Sequence, residues 1–121
     1  MSERGKGEIY WFRVANNYNP ENHVQAGSRP YIVFGTTKGP TVQAIPLTTK
    51  LSKLSKISTH ALLTPQDTML QKIKPSMVLC EQISTLPKTS ITGEVLDIVT
   101  PEKLTEIDRL LLKQLCVEGT V

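Results

Sequence analysis

The first four fifths of the chain alternate short runs of aromatic and β-branched residues with clusters of Gly, Pro and Asn. These runs predict strands over residues 8–15, 31–36, 41–48, 60–63, 77–84 and 94–99. Pro30 suits the first position of the second strand, which leaves Arg29 at the end of a loop, and Pro46 predicts an edge or a bulge in the third. A single turn of helix is expected around residues 67–72. A non-helical turn is expected over residues 86–90. The pattern therefore favours a sheet of five or six short strands.

One helix is predicted, at the C-terminal end. Thr100 offers an N-cap hydroxyl and Pro101 follows at the first helical position. From there, apolar residues recur at helical spacing and predict a helix over residues 101–115 that packs one stripe on the sheet, formed by Leu104, Ile107, Leu111 and Leu115. The expected fold is mainly β with a C-terminal helix, as a single domain over residues 1–121 in which residues 1–6 are flexible.

Charge and cysteine content narrow the class of partner. The net charge is +3, but residues 1–60 carry eight Lys and Arg against three Asp and Glu, so this half favours a polyanion. No run approaches the roughly 20 apolar residues of a membrane span, and the charged N-terminus lacks the apolar region of a signal peptide. A cytoplasmic protein is therefore expected. Cys80 and Cys116 are far apart without metal-ligand spacing, so both are expected to be buried thiols, with no metal and no cofactor.

Candidate catalytic residues lie at the ends of the predicted strands. Arg29 ends the stretch HVQAGSRP, and its planar fork of donors matches phosphate oxygens, although a loop Arg paired with a carboxylate is the simpler reading. Thr48 and Thr49 offer hydroxyls at the exit of the third strand, where threonines are also common for structural reasons. His23 and His60 could form an acid/base pair if the fold brings them together.

Other polar and aromatic residues are candidates for contact with substrate. Glu81 and Gln82 interrupt an apolar run, so Glu81 should have a partner or face an open groove. Tyr18, in a polar loop, could stack on a base, whereas the dense run from Tyr10 to Phe12 is expected in the core. Lysines repeat in a loop that could follow a phosphate backbone or simply be solvated, namely Lys50, Lys53 and Lys56.

Five motifs in this order resemble the MazF/PemK family of toxin endoribonucleases. They are Gly7-Glu-Ile-Tyr-Trp11, Gln25-Ala-Gly-Ser-Arg-Pro30, Ile45-Pro-Leu-Thr-Thr49, Thr59-His60 and Val78-Leu-Cys-Glu-Gln-Ile83. The resemblance implies a small SH3-like β-barrel of the CcdB/PemK type, a homodimer, and the toxin of a type II toxin-antitoxin system. It also implies a MazE-like cognate antitoxin whose acidic C-terminal segment covers the RNA groove. DNA would be contacted only through the antitoxin.

The resemblance further implies metal-independent cleavage of single-stranded RNA at short sequences, by attack of the ribose 2′-hydroxyl. Arg29 matches the catalytic Arg of a G-x-R-P element, and Thr48 matches the catalytic Thr that ends the third strand. Glu81 or His60 could serve as the base. The expected RNA-binding residues are Tyr18, His23, Gln25, Thr49, Lys50, Lys53, Lys56, Thr59, His60 and Gln82.

Two departures from the family pattern concern loops beside the groove. Val24 stands where many relatives have an acidic residue, and the turn at residues 34–40 is shorter than usual, so the cut sequence cannot be carried over from a relative. Two other functions fit the same fold. One is a CcdB-like poison of a topoisomerase, against which the pair of Arg29 and Thr48 argues, and the other is a non-catalytic RNA-binding module.

Overall fold

The computed structural model describes residues 5–14, 27–34, 39–51 and 59–116. Within them, seven strands precede one helix: β1 (Glu8–Val14), β2 (Gly27–Phe34), β3 (Thr41–Thr48), β4 (His60–Leu63), β5 (Ser76–Leu79), β6 (Ser84–Pro87), β7 (Ile91–Ile98) and α1 (Pro101–Gln114). Short 3₁₀ turns cover Pro65–Asp67, Cys80–Gln82 and Lys88–Ser90. The predicted mainly β fold with a C-terminal helix is confirmed. In the described part of the chain, no helix is long and apolar enough to span a membrane.

All seven strands belong to one antiparallel sheet. Six of them follow the order β4, β5, β3, β2, β1, β7, and β6 lies off this path and pairs with β3. The first half of β3 pairs with β6 and its end pairs with β5, so β3 serves two partners on the same side. Among the described residues no pairing joins β4 to β7. The sheet is therefore an open version of the predicted barrel.

The second strand begins earlier than the sequence predicts. Ser28 and Arg29, placed in a loop by their polarity, pair with Arg13 and Phe12 of β1. Pairing along β1 extends β2 back to Gly27, because tertiary hydrogen bonding outweighs weak local propensity. Pro30 lies just beyond the last β2–β3 pair, so its missing N–H interrupts no described pairing with β3.

Of the two alternatives predicted at Pro46, an edge or a bulge, the edge is wrong, because β3 is an interior strand. Pro46 lies opposite Tyr31 of β2, at the level where β3 leaves β6 and joins β5. Its missing N–H is therefore not needed for pairing with β5 or β6.

The last third of the sheet also departs from prediction. The expected strand over residues 77–84 splits into β5, the turn Cys80–Gln82 and β6, so Glu81 and Gln82 lie in a turn instead of a strand. The predicted turn at residues 86–90 is partly strand β6, and β7 starts at Ile91. The turn of helix expected around residues 67–72 is misplaced, because the helical turn is a 3₁₀ turn at Pro65–Asp67 and residues 68–72 are not helical.

Alternation along the strands builds a core on each face of the sheet. One face joins Ile9, Ile32, Ile45 and Leu47 to Ile107 and Leu111 of α1, together with residues of β4 and β5. The other face forms a second core from Tyr10, Phe12, Tyr31, Val33, Val42, Ala44 and Leu86. Residues of α1 therefore pack against the first core only.

Helix α1 begins and packs as predicted over most of its length. The Thr100 hydroxyl accepts a hydrogen bond from the N–H of Lys103, the expected N-cap. Leu104 packs so close to Gly7 that a Cβ there would lie 2.9 Å from its Cδ1, and Gly7 has φ +93. Leu115 is exposed, so the last member of the predicted stripe is wrong.

The two cysteines have different environments, which corrects the expectation that both are buried. Cys80 is fully buried, and Cys116 is exposed. Burial, with a further contribution from the charge of Glu81, raises the pKa of Cys80 to about 12. The Cys80 thiol therefore stays protonated and unreactive.

Candidate active site at the end of strands β2 and β3

Arg29 and Thr48 occupy opposing positions at one end of the sheet. The β2–β3 ladder pairs Phe34 with Gln43 and continues to its last pair, Tyr31 with Pro46. Continuing this register by two residues places Arg29 opposite Thr48, on the same face of the sheet. The β2–β3 ladder ends before Arg29 and Thr48, so both residues lie where the two strands separate.

Both residues line a cleft of about 620 Å³. Its walls are residues 28–30 of β2, residues 47–50 at and after the end of β3, Trp11, Leu96, residues 72–74 and Ser76. Four cations are among them, namely Arg29, Lys50, Lys72 and Lys74, and none of the described lining residues is acidic. The cleft therefore attracts an anion. Arg29 and Lys50 belong to the basic N-terminal half, whereas Lys72 and Lys74 come from the more acidic half.

The Thr48 hydroxyl is oriented by its own backbone. Its Oγ1 accepts a hydrogen bond from the N–H of Lys50 at 3.2 Å. A hydroxyl that accepts such a bond keeps its own O–H for another acceptor. Thr48 can thus donate one hydrogen bond to a phosphate oxygen bound in the cleft.

Tyr31 lies next to Arg29 on the same face of β2. It is fully buried, and no hydrogen-bond partner of its hydroxyl is found among the described residues. Burial raises the pKa of Tyr31, and the charge of Arg29 opposes this rise. The phenol is therefore neutral, and it lies close enough to Arg29 for the guanidinium charge to affect its pKa.

Sequence reasoning missed three residues of the cleft. Trp11 was expected in the core, but 42% of it is exposed. Lys72 and Lys74 lie in a segment of the more acidic half and were not singled out. Their signal in the sequence is weak, because only the fold brings this segment to the end of β2 and β3.

His60, Glu81, Gln82 and Thr59 form a second polar cluster, beside α1 and outside the lining of the cleft. His60 Nε2 lies 2.7 Å from Glu81 Oε1, so Glu81 has the partner that the sequence required. Gln82 Nε2 donates to Glu81 at 3.4 Å. The Thr59 hydroxyl donates to Gln114 of α1 at 2.7 Å.

Five candidate residues lie outside the described part of the chain, namely Tyr18, His23, Gln25, Lys53 and Lys56. The proposed pairing of His23 with His60 stays a prediction. Of the other expected RNA-binding residues, Thr49 and Lys50 line the cleft with Arg29 and Thr48. Within the described ranges, no three His, Cys, Asp or Glu side chains form a cluster that could hold a metal ion.

Solved structures with similar folds span nearly the whole chain. An endoribonuclease from a mycobacterial species, solved in complex with its cognate antitoxin, is 22% identical, with a TM-score of 0.70 over 99% of this chain and 100% of that one. MazF from Deinococcus radiodurans is 19% identical, with a TM-score of 0.74 over 96% and 99%. A MazE-MazF structure from the same organism is 19% identical, with a TM-score of 0.73 over 98% and 100%.

Sequence comparison assigns the family. A comparison with curated proteins gives no match. Residues 5–115 match the family model described as the PemK-like, MazF-like toxin of type II toxin-antitoxin systems. This range includes every described strand and the whole of α1. The chain therefore belongs to the PemK-like, MazF-like family of type II toxin-antitoxin toxins.

Proposed function

We propose that the protein is an endoribonuclease that cleaves single-stranded RNA in the cleft at the end of β2 and β3. The observation that carries this proposal is that Arg29 and Thr48 line one cleft, just beyond the end of the β2–β3 ladder, with three further cations. The mycobacterial relative that shares this fold is itself an endoribonuclease.

In the proposed reaction the ribose 2′-hydroxyl attacks the adjacent phosphorus, and the bond to the 5′-oxygen breaks. The products are a 2′,3′-cyclic phosphate and a 5′-hydroxyl, so one proton leaves the 2′-oxygen and one reaches the departing 5′-oxygen. Negative charge grows on the non-bridging oxygens during the attack. Fixed donors and a cation that meet this charge lower the barrier more than they stabilise the bound RNA.

Arg29 and Thr48 can supply what this transition state needs. The guanidinium of Arg29 brings a positive charge and two aligned donors, and Thr48 adds one hydroxyl donor. Because the nucleophile belongs to the RNA, the reaction does not require a metal ion to activate water. DNA lacks the 2′-hydroxyl, so cleavage is restricted to a ribose at the cut position.

Cleavage of RNA by purified protein in EDTA tests this proposal. We expect cyclic phosphate and 5′-hydroxyl ends, and no cut where the ribose is replaced by deoxyribose. Arg29→Ala and Thr48→Ala should each lower the rate by about 10²–10³-fold. Arg109→Ala and Thr89→Ala are matched controls, because both residues are exposed and outside the cleft lining.

A requirement for Mg²⁺, or full activity in Arg29→Ala, would overturn the mechanism. Trapping of a topoisomerase on DNA without RNA cleavage would support the CcdB-like alternative. Binding of RNA without cleavage would support the RNA-binding module. Sequencing the new 5′ ends gives the recognition sequence.

The proposal includes an antitoxin, a homodimer and a cytoplasmic site of action. Two of the similar structures contain an antitoxin or MazE with the toxin. The cationic lining suits an acidic antitoxin segment that covers the cleft and competes with RNA. Addition of the cognate antitoxin should inhibit cleavage, and light scattering should give the mass of a dimer.

A further inference from the structure

Trp11 lies at the point where the first core ends and the cleft begins. It follows Ile9 on the same face of β1 and pairs with Pro30, the neighbour of Arg29. The pairing of β1 with β7 shifts between Ile9 and Trp11, so β7 carries extra residues there, including Leu96. This irregularity leaves Trp11 partly uncovered, with Leu96 as another wall of the cleft.

Residues 72–74 line the same cleft, and a buried carboxylate binds the backbone of the segment that carries them. Asp97 is fully buried and accepts hydrogen bonds from the N–H groups of Leu70 at 2.9 Å, Lys72 at 2.7 Å and Ile73 at 3.1 Å. Gln71, between two of these donors, has φ 55. Ordinary L residues rarely adopt this backbone, so the bonds to Asp97 maintain an unusual turn.

The same turn carries Lys72 and Lys74 into the lining of the cleft. Both are exposed, whereas Ile73 between them packs against the first core. Ile73 therefore anchors the segment from one side while Asp97 holds its backbone. Two cations are thus held at the cleft on a rigid support, although their side chains stay solvated.

We propose that Trp11, Lys72 and Lys74 form a subsite for a nucleotide next to the scissile phosphate, with its base stacked on Trp11 and its phosphates contacted by the two lysines. This subsite rests on the proposed function, because it binds the same RNA as Arg29 and Thr48. An indole offers a face on which any base can stack, and lysines track the backbone without reading sequence. The subsite therefore contributes affinity and alignment for any sequence.

Trp11 is the only tryptophan in the chain, so its fluorescence reports on this subsite directly. The wild-type protein is titrated with fluorescein-labelled 2′-O-methyl RNA of mixed sequence, which has no nucleophile for cleavage. Anisotropy of the label measures binding, and tryptophan emission measures stacking. We expect quenching of Trp11 that saturates with the anisotropy, and about tenfold weaker binding in Trp11→Leu, largely restored in Trp11→Phe.

The lysines are tested through the salt dependence of the same binding. Lys72→Gln combined with Lys74→Gln should lower the magnitude of the slope of log K against log salt by about 1.4, from about 0.7 for each phosphate contact. Arg109→Gln combined with Lys113→Gln removes the same charge from exposed positions of α1 and should leave the slope unchanged. Circular dichroism checks that each variant is folded.

Each part of the subsite can fail separately from the proposed function. Anisotropy that rises without any change in Trp11 emission would overturn stacking, and equal slopes in the two double variants would overturn the lysine contacts. Either result can occur in a protein that still cleaves RNA through Arg29. A protein that neither binds nor cleaves RNA would overturn both the subsite and the proposed function.

Discussion

Two polar clusters on the same sheet differ in how their groups are used. At the cleft, Thr48 keeps a hydroxyl proton available, and the three lysines of the lining are exposed. Beside α1, His60 is bonded to Glu81 at 2.7 Å, and 1% of its side chain is exposed. The first cluster can bind a ligand at little cost, whereas the second is committed to internal bonds.

This difference in bonding divides a set of residues that the family resemblance places together. Arg29, Thr48, His60 and Glu81 all match positions near the expected groove. In the structure, the first two line the cleft, and the last two join β4 to the turn after β5. We therefore expect variants of the two clusters to fail in different ways.

Cleavage rate should show the largest contrast. We expect Arg29→Ala to lose about 10²–10³-fold in rate while unfolding at nearly the wild-type urea concentration, because its loss removes transition-state charge stabilisation. Glu81→Gln should stay within about threefold of wild type when the fraction of folded protein is matched. A comparable loss of rate in Glu81→Gln, without loss of stability, would instead support Glu81 as the general base and break the comparison.

Asp97 is a third case in the comparison. It is buried, and its carboxylate accepts hydrogen bonds from the backbone of the segment that carries Lys72 and Lys74. Burial by itself would raise the pKa of Asp97, but hydrogen bonds from the N–H groups of Lys72, Ile98 and Leu70 and from the Thr68 side chain lower it below the ordinary 3.8. Asp97→Asn should lower the free energy of unfolding by about 2–3 kcal/mol at neutral pH, because an amide cannot accept all these bonds. Urea denaturation measures the loss.

The pH dependence has a definite sign. Since the folded state holds the pKa of Asp97 below 3.8, its stabilisation is complete above that value and is lost as the pH falls through the folded-state pKa. Wild-type stability should therefore fall more steeply in acid than that of Asp97→Asn. Parallel acid profiles for the two proteins would show that the Asp97 carboxylate does not stabilise the fold.

Glu81→Gln should have a smaller effect on stability. The bond to His60 involves a carboxylate, but 22% of the Glu81 side chain is exposed, so water replaces part of what is lost. We expect a decrease of about 1.5 kcal/mol in the free energy of unfolding. Arg109→Ala is the matched control at an exposed charge of α1. An unchanged urea midpoint in Glu81→Gln would mean that the His60–Glu81 pair adds nothing to the fold.

The sequence predicted what depends on local pattern. β3 and β4 are confirmed at both ends, and the Thr100 cap is confirmed, because alternation and capping are read within a few residues. Arg29 was placed at the end of a loop because Pro30 suits the first position of a strand. Only pairing with β1, a contact distant in sequence, extends the strand back to Gly27.

Other parts of the cleft depend on tertiary structure alone. Trp11 has the alternation of a core residue, and its exposure comes from the irregular pairing of β1 with β7. Lys72 and Lys74 reach the cleft because Asp97, more than twenty residues away, binds their segment. No local pattern encodes such contacts, so the sequence singles out Arg29 and Thr48 but not Lys72 and Lys74, which line the same cleft.

The smallest expected effect concerns Tyr31, a buried polar group near the cleft that, unlike His60, has no hydrogen-bond partner among the described residues. A buried hydroxyl without a partner carries a desolvation cost, so Tyr31→Phe should stabilise the fold by about 1 kcal/mol. Tyr10→Phe is the matched control, because the Tyr10 hydroxyl donates to Glu8 at 3.1 Å and its removal should destabilise by a similar amount. Urea midpoints that move in opposite directions would confirm the contrast. If Tyr31→Phe instead destabilises the protein, the Tyr31 hydroxyl makes a hydrogen bond in solution. Tyr31 would then resemble the internally bonded residues His60 and Glu81.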